Sequence, residues 1–190
     1  MDQLATLAYA IEELRRTVTS LDASQMDKVT NCAPWTVRQL ASHALNNQLV
    51  WAGIVTGREL VSFADTMAAV PYEGDLAAYA NGVAKQALDL WETDGVLEAM
   101  HVTPFGEVPG SVVITFSIID GIAHAWDLSA STGHAIEFEP HTLPGISAVV
   151  EATCTDDVVA LGLIQAPTQP PSDATETERL MAKAGRTIPR

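Results

Sequence analysis

The sequence predicts an all-α domain, on three observations. Apolar residues recur every three or four positions through several long segments, the helical period. Cap and breaker residues fall between those segments rather than inside them. Apolar side chains make up 47% of the 190 residues, enough to build a packed core and to exclude wholesale disorder.

The elements follow in order. Leu4, Leu7, Ala8, Ile11, Leu14 and Val18 predict a first helix of about five turns. Leu21, Asp22 and Gln25 lie in the turn after it, and Thr30 to Pro34 form a second connector. Pro34 and Thr36 are expected to open a second helix, proline being preset for a first turn. Val37, Leu40, Ala44, Trp51 and Ile54 carry that helix to a cap at Gly57. Asp75 caps a third, with Leu76, Tyr79, Val83, Leu88 and Trp91, ending near Gly95. Two prolines and two glycines make His101 to Gly110 a loop or short hairpin. A fourth helix runs from Ser111 through Phe116, Ile122 and Leu128 to Gly133. The β-branched run Val112 to Thr115 would also suit a strand, but the apolar pattern continues too far for one. A fifth helix is expected over Pro144 to Thr153, with Asp156 to Ile164 continuing it or forming a short sixth. Ala166 to Ser172 reads as an extended strap. Asp173 with Glu176 resembles a capping box for a last helix ending at Gly185. The chain is expected to be one helical domain over 1–190, with 166–190 forming the strap and short helix.

Charge narrows the function. The net charge is −14, and no Lys or Arg occurs between Lys85 and Arg179. That stretch cannot neutralise phosphates, which excludes nucleic acid and anionic membrane as partners; it suits a cation. The longest apolar run, Val112 to Ile119, falls short of the ~20 residues that span a bilayer. Met1 to Leu21 mixes acids and bases and does not resemble a secretory leader. Cys32 and Cys154 are too few for a disulfide scaffold, so the expected compartment is cytoplasmic and both thiols are expected free.

Two places in the sequence carry chemistry. Asp120 and His124 stand four apart on one helix, so both project from the same face. Their neighbours Ile119, Ile122 and Ala123 are apolar, and a buried carboxylate without a partner is expensive. Either a metal or a hydrogen bond to His124 compensates it; the spacing fits both. His43 sits mid-helix with Asn46 and Asn47 nearby, and Asn47 shares its face. This suggests a helix lining a cavity, although a lone core histidine with a backbone partner is the commoner case. His101, His134 and His141 fall in loops and read as surface residues. Cys32 is expected at the start of the second helix, as a packing residue.

The segment Asn31-Cys32-Ala33-Pro34-Trp35-Thr36-Val37-Arg38-Gln39-Leu40-Ala41-Ser42-His43 resembles the helix-2 signature of the DinB/YfiT-like superfamily. More narrowly, it is similar to the actinobacterial branch related to the N-terminal metal-binding domain of mycothiol-dependent maleylpyruvate isomerase. Asp120-Gly121-Ile122-Ala123-His124-Ala125-Trp126-Asp127-Leu128 resembles that branch's second signature, an acid four residues before His-x-Trp-Asp-Leu. Pro104-Phe105-Gly106 and the tail around Arg179 to Arg186 also fit. The resemblance implies a DinB-like four-helix bundle in up-down-down-up order, with extra C-terminal helices. It implies His43, Asp120 and His124 as ligands of one divalent metal. Asp127 and Asn47 are then supporting groups around them, and Trp126 is core. Two imidazoles and a carboxylate suit zinc, with nickel or iron as alternatives, and three protein ligands leave a position open.

The implied activity is a thiol S-transferase or isomerase in which the metal activates the thiol of a mycothiol-type cofactor. The implied partners are that small-molecule thiol and an electrophilic substrate, with a homodimer as a further expectation. The isomerase branch carries an additional substrate-binding domain after the bundle; this chain ends soon after its last helix, so maleylpyruvate is not the expected substrate. The sequence names no separate catalytic base. It leaves open a second reading, a non-catalytic bundle that binds a metal or small ligand.

Overall fold

Asp2 accepts the Ala5 amide at 2.7 Å and starts α1 (Gln3–Thr19), satisfying a first-turn donor that has no partner within the helix. The computed structural model describes residues 2–160, 162 and 164–188. Thr36 caps α2 (Val37–Val55) in a reciprocal box with Gln39. Pro34 therefore does not open this helix, contrary to expectation. It lies in the turn before it, after a cis Ala33–Pro34 bond, because the Thr36 hydroxyl can accept an orphan amide and proline has nothing to offer. A one-turn helix that the sequence reading missed, α3 (Phe63–Met67), is capped by Ser62. Asp75 caps α4 (Leu76–Trp91) as expected.

The hairpin is real: β1 (Met100–Thr103) pairs antiparallel with β2 (Gly106–Pro109). It runs directly into α5 (Gly110–Thr132), so Val112 to Thr115 are helical. Gly110 is required at that junction, since a Cβ there would stand 1.8 Å from the Val96 carbonyl oxygen. Gly133, at φ 103°, ends α5 in the left-handed conformation. Then come α6 (Leu143–Thr153), α7 (Asp156–Ala160) and α8 (Glu176–Lys183). Of the expected segment Asp156 to Ile164, residues 161 and 163 lie outside the described residues. The box at α8 is Thr175 with Glu178, not Asp173 with Glu176; the threonine pair places both hydrogen bonds two residues further on.

Register fixes the bundle order. Gln3 Nε2 donates to the Ser111 carbonyl at 2.9 Å, joining the starts of α1 and α5, which are therefore parallel. Gln48 donates to Ser117 O at 3.2 Å while the His43 and His124 rings meet, so α2 runs against α5. Arg15, late in α1, bonds Asn81, early in α4, so those two are antiparallel. The result is up-down-down-up, with α5 at the centre against α1, α2 and α6. The core splits into two apolar clusters. One gathers around Trp51, Trp91, Ile118 and Trp126; the other, around Leu14, Leu40, Leu45 and Leu128, lies toward the opposite end.

Among the described residues, α5 alone is long and apolar enough to cross a membrane by length and composition. Yet 72% of its apolar window is buried inside the protein, as befits a central bundle helix.

Candidate metal centre

The antiparallel register of α2 and α5 brings His43 opposite the His124 turn. The imidazole centroids are 5.1 Å apart and nearly perpendicular. Between them stands Asp120, its Oδ1 3.2 Å from His124 Nε2 and 3.9 Å from His43 Nε2. The residues that the resemblance implied are thus in one place, their ligand atoms within 4.8 Å of one another.

Each imidazole is held from behind. His43 Nδ1 lies 2.8 Å from the Thr66 carbonyl of α3, an acceptor that fixes the proton on Nδ1 and the lone pair on Nε2. Trp35 covers the other face of that ring at 4.6 Å. His124 Nδ1 donates to Asp127 Oδ2 at 3.0 Å, the carboxylate–histidine arrangement that orients metal-binding imidazoles. Asn47 stands beside His43, its Nδ2 3.1 Å from Nε2.

Asp127 is fully buried. It binds Asn31 Nδ2 at 2.9 Å, the Cys32 thiol at 3.2 Å and the Arg186 guanidinium at 2.9 Å. It ties α5 to Asn31 in the turn before α2 and to Arg186 after α8, neither of which the sequence reading gave a role. A signal for Arg186 was present. With no Lys or Arg between 85 and 179, a cation for Asp127 has to come from a distant part of the chain.

Protonation follows from these contacts. Burial would depress the His124 pKa, but hydrogen bonds to Asp120, Asp127 and Cys32 outweigh it and raise it well above the usual imidazole value. Burial governs His43, whose pKa falls despite the pull of Asp120. Asp120 is penalised by burial yet lowered overall by His124, His43 and Asn47. Asp127 is likewise desolvated, but the charge of Arg186 and the contact with His124 hold it far below the usual carboxylate range.

The three-residue set fits a metal on its own chemistry. Asp120 Oδ2 is buried with no hydrogen-bond partner, and so is Asn47 Oδ1. An unsatisfied buried carboxylate oxygen is costly. Ligand atoms ~2.0–2.1 Å from a tetrahedral zinc stand about 3.3 Å apart, close to the His124–Asp120 separation. A second group, Cys32 with His124 and Asp127, also falls within 4.8 Å. There, however, Asp127 is already neutralised by Arg186, and His124 uses Nδ1 on Asp127.

Cys32 lies in the turn before α2 rather than in its first turn. Neither cysteine is in a disulfide. Trp126 is core, as expected. His134 and His141 are exposed, as expected, while His101 is half-buried in β1 with Nε2 2.7 Å from the Val96 carbonyl. A strand of the hairpin, not a free loop, holds that ring.

The site opens into a cavity of about 810 Å³. Asn31, Cys32 and Trp35 line it from the turn before α2, and Gln165, Thr168 and Arg186 line it from the strap and tail. Trp51, Phe63, Phe105 and Phe116 line it elsewhere. The strap is stitched to α8 by Thr168 N to Ala182 O at 2.9 Å.

The uncharacterized proteins Rv0738 and MT0763 from two Mycobacterium tuberculosis strains are each 28% identical over 194 residues, covering 99% of this chain and 100% of theirs. The crystal structure of a mycothiol-dependent maleylpyruvate isomerase superposes with a TM-score of 0.64 at 15% identity, over 86% of this chain and 72% of that one. Its H52A mutant gives 0.61 at 15% identity, over 78% and 68%. A family model described as the mycothiol maleylpyruvate isomerase N-terminal domain matches residues 7–129, which is most of the bundle and includes both signatures. The chain belongs to the mycothiol maleylpyruvate isomerase N-terminal domain family.

Proposed function

We propose that His43, Asp120 and His124 bind one divalent metal, zinc by the nature of the donors, and that the protein is a thiol S-transferase or isomerase using a mycothiol-type cofactor. The observation that carries this reading is the buried, unpartnered Asp120 Oδ2 set beside two imidazole Nε2 atoms at the edge of a large cavity. Family membership supports it, because the solved relative is a mycothiol-dependent isomerase.

A divalent cation in such a site supplies positive charge that favours the thiolate form of an entering thiol at neutral pH. The protein's own groups do the rest. Thr66 and Asp127 hold the two imidazoles so that both Nε2 atoms face Asp120. Three protein donors leave room for a sulfur. Indole and phenyl rings line the cavity beside these donors.

Cobalt substitution tests the reading. Addition of mycothiol or a simpler thiol is expected to produce a sulfur-to-cobalt charge-transfer band that is absent in His43→Ala. A spectrum indifferent to thiols at millimolar concentration would overturn the transferase reading in favour of a non-catalytic metal-binding bundle.

A further inference from the structure

Three of the chain's four phenylalanines are gathered on one side of the cavity. Trp51 meets Phe116 at 5.3 Å and Phe63 at 6.3 Å; Phe105 meets Phe63 at 6.2 Å and Phe116 at 6.1 Å. The four rings form a closed set of edge and tilted contacts from α2, α3, the hairpin turn and α5. Such pairs are favourable, yet this cluster is not sealed. Phe105 is 42% exposed and Met67, which also lines the cavity, is 43% exposed. Apolar side chains left open at the rim of a cavity mark a ligand surface rather than a core.

The charge of the opposite wall points the same way. Among the described lining residues Arg186 is the one permanent cation. Its Nε and Nη2 are taken by Asp127 and its Nη1 by the Ala184 carbonyl. Asp120 adds a second negative charge nearby. Arg186 thus offers a small dicarboxylate no counter-charge that Asp127 has not already claimed, whereas an uncharged ring needs none.

We propose that the electrophile taken by this site is an uncharged aromatic molecule, seated on the Trp51, Phe63, Phe105 and Phe116 rings, and not a small dicarboxylate. The proposal rests on the thiol-transfer reading for the reaction but on the aromatic wall for the class of molecule. An aryl enone illustrates the chemistry. The S–C bond forms at the β-carbon, the C=C π bond breaks, and the thiol's proton ends on the α-carbon. No leaving group or oxidant is needed.

The test is a binding measurement without thiol. Calorimetric titration of the purified protein uses 2-naphthol as the aromatic probe and maleate as the dicarboxylate. 2-Naphthol is expected to bind, and Phe105→Ala to weaken it about three- to tenfold, the worth of one aromatic pair. Phe105→Leu, which keeps apolar bulk without the ring, is expected to fall between. Maleate is expected to bind at least about tenfold more weakly than 2-naphthol. Phe105 stands in the turn of the hairpin, so circular dichroism should show both variants folded. Maleate binding as tight as that of 2-naphthol would overturn the proposal. So would absent 2-naphthol binding, or binding indifferent to both variants. Because no thiol is present, this outcome is independent of the cobalt experiment. A silent cobalt spectrum would sink the thiol chemistry and leave the aromatic site standing, and the reverse also holds.

Discussion

Arg186 Nη2 donates to Asp127 Oδ2 at 2.9 Å, and the same oxygen receives His124 Nδ1 at 3.0 Å. A residue beyond the last helix thereby sets the orientation of an imidazole in the middle of the bundle. Asp127 is fully buried and Arg186 has a side-chain exposure of only 16%, so the pair sits where an unpaired charge is heavily penalised.

Removing one partner should therefore cost more than the pair contributes. Arg186→Gln is expected to lower unfolding stability by roughly 3–5 kcal/mol, with Asp127 left uncompensated. Pairing it with Asp127→Asn should restore part of the loss, since the two changes share one interaction. Urea unfolding of the two single variants and the double variant measures the coupling. Strictly additive losses would show that the contact carries no energy.

The metal-free protein should have its best stability in mildly acidic solution. Asp127 has a lowered pKa when folded, so its contribution is present above the unfolded value of ~3.9 and is lost as pH falls below it. His124 has a raised pKa, so its contribution is complete below ~6.5 and drains away as pH rises through the folded value. Zinc should reverse that upper limb, because bound imidazoles must be neutral and protons compete for them. Melting temperatures across pH, with chelator and with zinc, check both limbs. A chelated protein whose stability keeps rising above neutrality would contradict the sign given for His124.

Metal content should follow residues and not histidine count. About one divalent ion per chain is expected, lost in His43→Ala and His124→Ala and retained in His134→Ala and His141→Ala, whose rings are exposed. Elemental analysis after dialysis decides it. Full metal in both of the first two variants would remove the site.

Both cysteines should be free thiols. Cys32 contacts Asp127 and Cys154 is half-buried near Thr153, with no bond between them. Denaturation without reductant, followed by alkylation and mass spectrometry, is expected to label both. A protected pair would place the protein in an oxidising compartment.

The long helices were legible because each carries its own signals. Asp75 before Leu76 and Gly133 after Thr132 are caps chosen by local chemistry, and the apolar rows of α1 and α4 point one way. The pair Asp120 and His124 was equally legible, being fixed by one helical turn. What escaped were contacts across the chain. Nothing local to Thr66 says that its carbonyl meets His43, and α3, at one turn, is too short for a periodic pattern. The aromatic wall drew its rings from four separate elements, so no single window contained it. Pro34 misled because a proline near a helix start suits both the first turn and the turn before it.

The sequence separation of 59 between Asp127 and Arg186 also separates them in time during synthesis. At ~5–20 residues per second, Asp127 leaves the ribosome about 3–12 s before its guanidinium partner. In that interval the four bundle helices are already made, but the carboxylate behind His124 has no cation to accompany it inward. Final closure of this corner of the bundle waits for translation to reach the tail. Stalling or truncation between α7 and Arg186 should leave a nascent bundle open around His124, a ready substrate for chaperones and proteases.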